Sequence, residues 1–258
     1  VDIQPLLELT RRAGDAILAV RSSGAFATRA KDDRSPLTAA DLAADTIIGE
    51  GLARLDPGTP LLSEEGAQPA AGTVWPRFWC VDPLDGTKEF LAGSGEFTVN
   101  IALVEDGRPI LGVVHAPALP GAPLWWGGPA LGGSWVRRGG ETRPIRCRPP
   151  PPPPAALRIV ASKSHRDAAT DAWIAALGRT VEVVAAGSSL KFCLVAEGEA
   201  DAYPRLGPTC AWDTAAAHAV ALGAGAAVHS LAGAELRYDP TATLNPGFIV
   251  GPANDISA

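Results

Sequence analysis

Residues 78–90 read FWCVDPLDGTKEF: the apolar run Phe78-Trp79-Cys80-Val81 breaks directly into two carboxylates three positions apart, with Pro83 between them and Gly86-Thr87 behind. The run suits a buried strand, and the residues after it are turn formers. Asp82 is therefore expected where the strand ends, and Thr87 where a helical segment begins that continues through Lys88, Glu89 and Phe90. Free amides and the dipole at a helix start favour an anion such as phosphate. Hard divalent cations such as Mg²⁺ take oxygen ligands, from a few carboxylates and a substrate phosphate. Asp82, Asp85 and the Leu84 carbonyl could supply three such oxygens from one turn, and Gly86 removes bulk where a ligand approaches the backbone. Taken alone, D-x-x-D is more often an ordinary acidic turn with a helix cap. The hexapeptide DPLDGT behind a buried strand is far more specific.

Upstream, apolar residues recur at Leu6, Leu9, Ala13, Ile17 and Val20, one face of a helix over residues 5–21. A second helix is expected from Thr38 or close to it, with Asp41 as a capping partner in its first turn. Beyond Pro60 the pattern turns to strands: Leu61-Leu62, residues 77–81, and residues 97–104, whose alternation suits a half-buried strand. Asp106-Gly107 marks a turn into another strand over residues 110–115. Residues 117–136 are dominated by glycine, proline and tryptophan and read as short edge strands and loops. The prolines at 149–154 favour an extended spacer. They suggest an α+β metal-binding domain over residues 1–147, a linker over 148–154 and an α/β substrate-specificity domain over 155–258. In that second half, strand and helix patterns alternate.

Of 258 residues, 47% are hydrophobic and 19% charged, enough to bury a substantial core. No stretch approaches the roughly 20 apolar residues of a membrane span, and no signal-type run opens the chain, so a cytoplasmic protein is expected. The formal net charge of -6 argues against binding a nucleic acid polymer, which needs a basic surface. Cys80, Cys147, Cys193 and Cys210 form no C-x-x-C pair and read as reduced structural thiols. The abundance of alanine, glycine and proline reads as a chain-wide bias without functional meaning.

Two more acidic spots lie at expected element ends. Ser63-Glu64-Glu65-Gly66 follows the strand at Leu61-Leu62, and Asp213 of AWDTAA heads an alanine-rich helix. Singly, the first is an ordinary solvated loop and the second an ordinary helix cap. In order, however, LSEEG, DPLDGTKEF and WDTAA resemble the motifs of the lithium-sensitive, Mg²⁺-dependent phosphomonoesterases of the inositol monophosphatase superfamily. GSSLKFCLVAEGEADAYPRLGPT and the closing LNPGF are most similar to the bacterial 3'(2'),5'-bisphosphate nucleotidases within it.

The resemblance implies a layered αβαβα sandwich, α+β in its first half and α/β in its second, with the site between the halves. It implies two or three Mg²⁺ ions: Glu64, Asp82 and the Leu84 carbonyl on one, Asp82, Asp85 and Asp213 on the second, a weaker third near Glu64. Glu64 and Thr87 would position and deprotonate water, with Asp41 supporting Thr87 or a metal-bound water. The Gly86 and Thr87 amides would hold the phosphate, which Asp85 and Asp213 also border. Ser188, Lys191 and Arg205 would contact the nucleotide, and His165 would stack on it or touch its ribose. Without the resemblance these four read as a cap, two surface cations and a surface histidine. His115, His218 and His229 read as packing or strand-end residues.

The implied activity is hydrolysis of adenosine 3',5'-bisphosphate to AMP and phosphate, clearing the by-product of sulfate activation, with lithium inhibition. The nearest rival is an inositol monophosphatase or sugar-bisphosphatase with the same metal centre, against which stand TKEF, GSSLKF and Arg205. A noncatalytic nucleotide-binding regulator is the rival of another class. The sequence leaves open a monomer or homodimer and peripheral association with the inner face of a membrane.

Overall fold

The computed structural model describes residues 2–24, 29–30, 36–162 and 168–253. Helix α1 (Gln4–Ser23) is followed by the short antiparallel pair β1 (Arg29–Ala30) and β2 (Pro36–Leu37), then α2 (Ala39–Leu55). Thr38 caps α2 as expected: its hydroxyl accepts from the Ala40 and Asp41 amides, while Asp41 accepts from the Thr38 N–H in a reciprocal capping box. A meander comes next: β3 (Leu61–Ser63), β4 (Arg77–Asp85), the one-turn helix α3 (Thr87–Leu91), β5 (Thr98–Glu105), β6 (Arg108–His115), β7 (Leu124–Gly128), β8 (Gly133–Arg138) and β9 (Glu141–Pro144). These seven strands form one sheet in chain order, antiparallel except for the parallel pair β3 and β4. The β5–β6 hairpin turns on Asp106 and Gly107, both at positive φ, which an Asp-Gly pair tolerates.

The second half contributes β10 (Leu157–Ser162), α4 (Ala168–Ala176), β11 (Val181–Ala186), α5 (Leu190–Ala196), β12 (Tyr203–Arg205), β13 (Thr209–Cys210), α6 (Ala211–Gly223), β14 (Ala226–Ser230), β15 (Leu244–Asn245) and β16 (Phe248–Pro252). Strands β10 and β11 are parallel, with α4 as their crossover, and β16 lies between β12 and β14. A bridge from Ile159 to Ala202 joins β10 to the start of β12.

The seven-stranded sheet is buried on both faces. On one, Trp79, Val81, Ile101, Leu103 and Val113 pack on Leu9, Ala13, Ile17, Ala44 and Ile48 of α1 and α2. On the other, Phe78, Cys80, Ala102, Val104 and Val114 pack on α5 and α6, and these helices pack in turn on Val160, Tyr203, Val228, Phe248 and Val250 of the second sheet. The order of layers is αβαβα. Helix α6 sits between two sheets, and Ala215, Ala216, Ala217, Ala219 and Ala221 keep it thin enough to fit. A Cβ on Gly112 would come within 2.0 Å of the Ala216 carbonyl oxygen, so β6 and α6 touch backbone to backbone.

Several expectations change. Strand β5 is buried on both faces because α5 and α6 cover the side an amphipathic reading leaves to water. Residues 124–128 form a fully buried strand, with Trp125 and Trp126 on opposite faces. Strand β4 runs past Val81 to Asp85. Strands β12, β13, β15 and β16 were not anticipated; β16 is a central strand despite its five residues.

Candidate metal centre

Register places the carboxylates. Strand β3 runs parallel to β4 from Leu61 opposite Trp79 to Ser63 opposite Val81, and the Glu64 amide donates to the Val81 carbonyl at 3.1 Å. Glu64 therefore leaves the sheet beside Asp82, with which it shares a side-chain hydrogen bond. On the other side of β4, Asp82 faces Asn100 and Asp85 faces Thr98, so β4 carries one residue more than β5 over this stretch. The bulge holds Pro83 and Leu84 and turns the two carboxylates toward one place. The Leu84 amide donates to Asp82 Oδ1 at 3.0 Å and closes the loop. Gly86, at φ 94°, follows; a Cβ there would approach the Glu96 carbonyl at 3.1 Å and Phe97 Cα at 3.3 Å.

Asp213 arrives from the far half, in the first turn of α6, where its Oδ2 accepts from the Cys210 amide at 2.7 Å. It is thus the third residue of the helix and reaches back as the acidic arm of a capping box, rather than standing at the cap. Carboxylate oxygens of Asp82, Asp85 and Asp213 all lie within 4.8 Å of one another. This is the set expected on a shared second ion, and Glu64 joins it through Asp82.

Concentrating acids here is costly. Burial raises Asp82 well above the ordinary carboxylate range, and the charges of Glu64, Asp85 and Asp213 add to it. Burial also raises Asp85, although Lys191 and the Ser189 hydroxyl pull it down. Asp213 is pushed up to about 7, first by burial and then by Asp85, against the Cys210 amide. A hard cation would offset these costs, and the donors are all oxygens.

A cleft of 230 Å³ opens over the acids, lined among others by Gly86, Thr87, Ser188, Lys191, Arg205 and Asp213. The Thr87 hydroxyl donates to the Leu84 carbonyl at 3.3 Å. Lys191 is 8% exposed; its Nζ donates to the Ser188 carbonyl at 2.5 Å and lies 5.5 Å from the centre of the Tyr203 ring. Arg205 donates to the Pro208 carbonyl at 2.8 Å, and its Nε is buried with no hydrogen-bond partner among the described residues. The cleft thus sets positive charge opposite a negative floor.

Asp41 is fully buried, and its Oδ2 is engaged by Thr38. His165 falls outside the described residues. Lys88 and Glu89 line the cleft, whereas Phe90 turns inward onto Phe97, ring centres 5.5 Å apart. Asn100 and Ser189 are not among the site residues the resemblance implies, yet both reach Asp85: the Ser189 hydroxyl donates to Asp85 Oδ2 at 3.0 Å, and Asn100 Nδ2 donates to the same oxygen at 3.5 Å. A polar residue in the middle of the apolar strand TVNIALV was the available signal.

The inositol monophosphatase family model matches residues 2–256. The chain is 49% identical over 253 residues to the 3'(2'),5'-bisphosphate nucleotidase CysQ of Salmonella typhimurium strain LT2, covering 96% of this chain and 98% of that one. To the protein of the same name from Escherichia coli strain K12 it is 48% identical with the same coverage. Among solved structures, CysQ from Bacteroides thetaiotaomicron superposes with a TM-score of 0.83 at 36% identity, over 98% of both chains. That structure is described as a bacterial member of the inositol monophosphatase family. With the family model spanning nearly every residue and the acids of its motifs gathered around one bulged strand end, this chain belongs to the inositol monophosphatase family.

Proposed function

We propose that the chain is a Mg²⁺-dependent 3'(2'),5'-bisphosphate nucleotidase that hydrolyses adenosine 3',5'-bisphosphate to AMP and phosphate and so clears the by-product of sulfate activation. The observation that carries this reading is the convergence of Asp82, Asp85 and Asp213 under a cleft that also holds Lys191 and Arg205. Near-full-length likeness to nucleotidases supports it. The division into lobes over residues 1–147 and 155–258, with the site at their junction, belongs to the same proposal, as do lithium sensitivity and a cytoplasmic location. No helix among the described residues is long and apolar enough to cross a membrane.

Glu64, Asp82, Asp85, Asp213 and the Leu84 carbonyl would hold two or three Mg²⁺ ions, which when bound lower the pKa of water and offset charge on the departing oxygen. Glu64 accepts the proton of the attacking water, and the Thr87 hydroxyl orients that water. The Gly86 and Thr87 amides hold the phosphate being cleaved. Lys191 and Arg205 take the anionic remainder of the nucleotide, with Ser188 beside them. Because the two cations and the acids face each other across one cleft, an ester with a second phosphate is held better than one with a single phosphate.

Steady-state turnover of adenosine 3',5'-bisphosphate and inositol 1-phosphate, with Mg²⁺ and with added Li⁺, tests the assignment. The bisphosphate should be strongly preferred; preference for the inositol ester would overturn the substrate choice. Asp213→Asn should reduce Mg²⁺-dependent turnover by about 10²- to 10³-fold with the fold retained, the loss expected when an electrostatic element of catalysis is removed. Undiminished turnover would refute the metal assignment.

A further inference from the structure

We propose that Ser189 and Asn100 are positioning residues that set Asp85 and Asp213 in place across the junction of the two halves, as one rung of a polar ladder between β5 and the start of α5. The proposal rests on the metal reading above. Three residues spaced by two in the first half meet three consecutive residues of the second. Glu96 Oε2 accepts from the Gly187 amide at 3.0 Å, the Thr98 and Ser188 hydroxyls lie 3.1 Å apart, and Asn100 Nδ2 donates to Ser189 Oγ at 3.0 Å. Alternate residues of a strand share a face, so one side of β5 supplies Thr98 and Asn100. Gly187 permits the approach, since a Cβ there would come within 2.9 Å of the Glu96 carbonyl. Ser188 takes φ 41°, a backbone state that a non-glycine residue keeps only when its surroundings hold it.

Only the Ser189 rung reaches the acids. Its Oγ lies 3.0 Å from Asp85 Oδ2 and 2.8 Å from the Asp213 carbonyl oxygen, while it accepts from Asn100. Asn100 Nδ2 itself lies 3.5 Å from Asp85 Oδ2. Ser189 is 2% exposed and Asn100 is 1% exposed, so each needs polar partners inside the protein. One hydroxyl therefore touches the last residue of β4 and the first turn of α6, the two elements that bring acids from opposite halves. Mere adhesion between the halves could be had from apolar side chains. A hydrogen-bonding pair aimed at a carboxylate also fixes that carboxylate's rotation.

Outer partners of metal ligands commonly contribute 10- to 100-fold in metal affinity. Ser189→Ala should therefore weaken Mn²⁺ binding, followed by electron paramagnetic resonance titration, by about 10-fold or more. It should lower kcat at fixed Mg²⁺ while leaving the KM for adenosine bisphosphate within about twofold, since Lys191 and Arg205 are untouched. Asn100→Ala should act in the same direction, and the double variant should fall short of the sum. Should Ser189→Ala not fold, Ser189→Cys, which keeps the shape with a weaker donor, carries the same test. Folded variants that lose thermal stability yet bind Mn²⁺ like the wild type would overturn the proposal and leave the ladder as adhesion. A wild-type protein that binds no Mn²⁺ would instead overturn the functional reading.

Discussion

Lys191 is the residue whose surroundings say most about substrate choice. A buried ammonium is expensive, and burial does lower its pKa, with Asp85 acting in the opposite sense and Arg205 adding to the fall. It stays in reach of the cleft because Ser188 and the Tyr203 ring hold it there. Lys191→Met keeps most of the side-chain volume and removes the charge. A charge-assisted contact of about 1.5–3 kcal/mol predicts a KM for adenosine bisphosphate raised by about one to two orders of magnitude, with a smaller change in kcat. An unchanged KM would place the nucleotide elsewhere. From the sequence Lys191 reads as a surface cation, because nothing in GSSLKF reports that the Tyr203 ring lies against it. Asp82, Asp85 and Leu84 are legible because one turn carries all three, so their spacing survives folding. Ser189 and Asn100 are separated by 89 positions and become partners only in the folded chain. His218 is packing, as its place in the pattern suggests: it is fully buried, its Nδ1 lies 2.9 Å from the Tyr238 hydroxyl, and burial holds its pKa at about 3.

Among the elements, α6 shows how composition that seems uninformative acquires a role. Its alanines look like part of a chain-wide bias, yet they let a helix lie between two sheets with its backbone against Gly112. A helix buried on all sides has no amphipathic stripe to betray its setting, which is why the sequence shows the helix but not its contacts. The same limit explains β7 and β16: short buried strands lack alternation, and the glycines of residues 117–136 obscured one of them. Gly112→Ala forces a methyl group against the Ala216 carbonyl, an overpacking that typically costs 1–3 kcal/mol, here at the upper end because neither partner is a flexible side chain. Because α6 also carries Asp213, the variant should lose activity beyond what its stability explains. Thermal unfolding and kcat measured well below the unfolding temperature separate the two effects, and full activity in a destabilised protein would show that α6 shifts without moving Asp213.

Across the whole molecule, the two core clusters share the seven-stranded sheet, and one of them continues without a break from Phe78 and Cys80 into Phe192, Phe248 and Val250 of the second half. The acids stand where that continuous packing ends, so the energy of assembling the halves is partly spent on bringing like charges together. This makes stability depend on pH in a definite sense. Asp213 titrates near 7 when folded and near 3.9 when unfolded, so between those values the native protein binds more protons than the unfolded chain. Without metal, the Asp213 contribution to stability should therefore fall as pH rises from about 4 to about 7, with Asp82 and Asp85 acting in the same direction. His218 contributes the opposite slope, since its neutral form is favoured when folded and stability is lost as pH falls through the unfolded value near 6.5. Comparing wild type with Asp213→Asn in a chelator cancels His218, which both proteins carry. The wild type should lose stability relative to the variant as pH rises through that window. Added Mg²⁺ should narrow that gap near neutrality, because binding to the folded state alone adds about 2.7 kcal/mol at 100 times its Kd. Parallel pH profiles for the two proteins would mean that the carboxylates do not share one buried site, and the metal centre would have to be sought elsewhere.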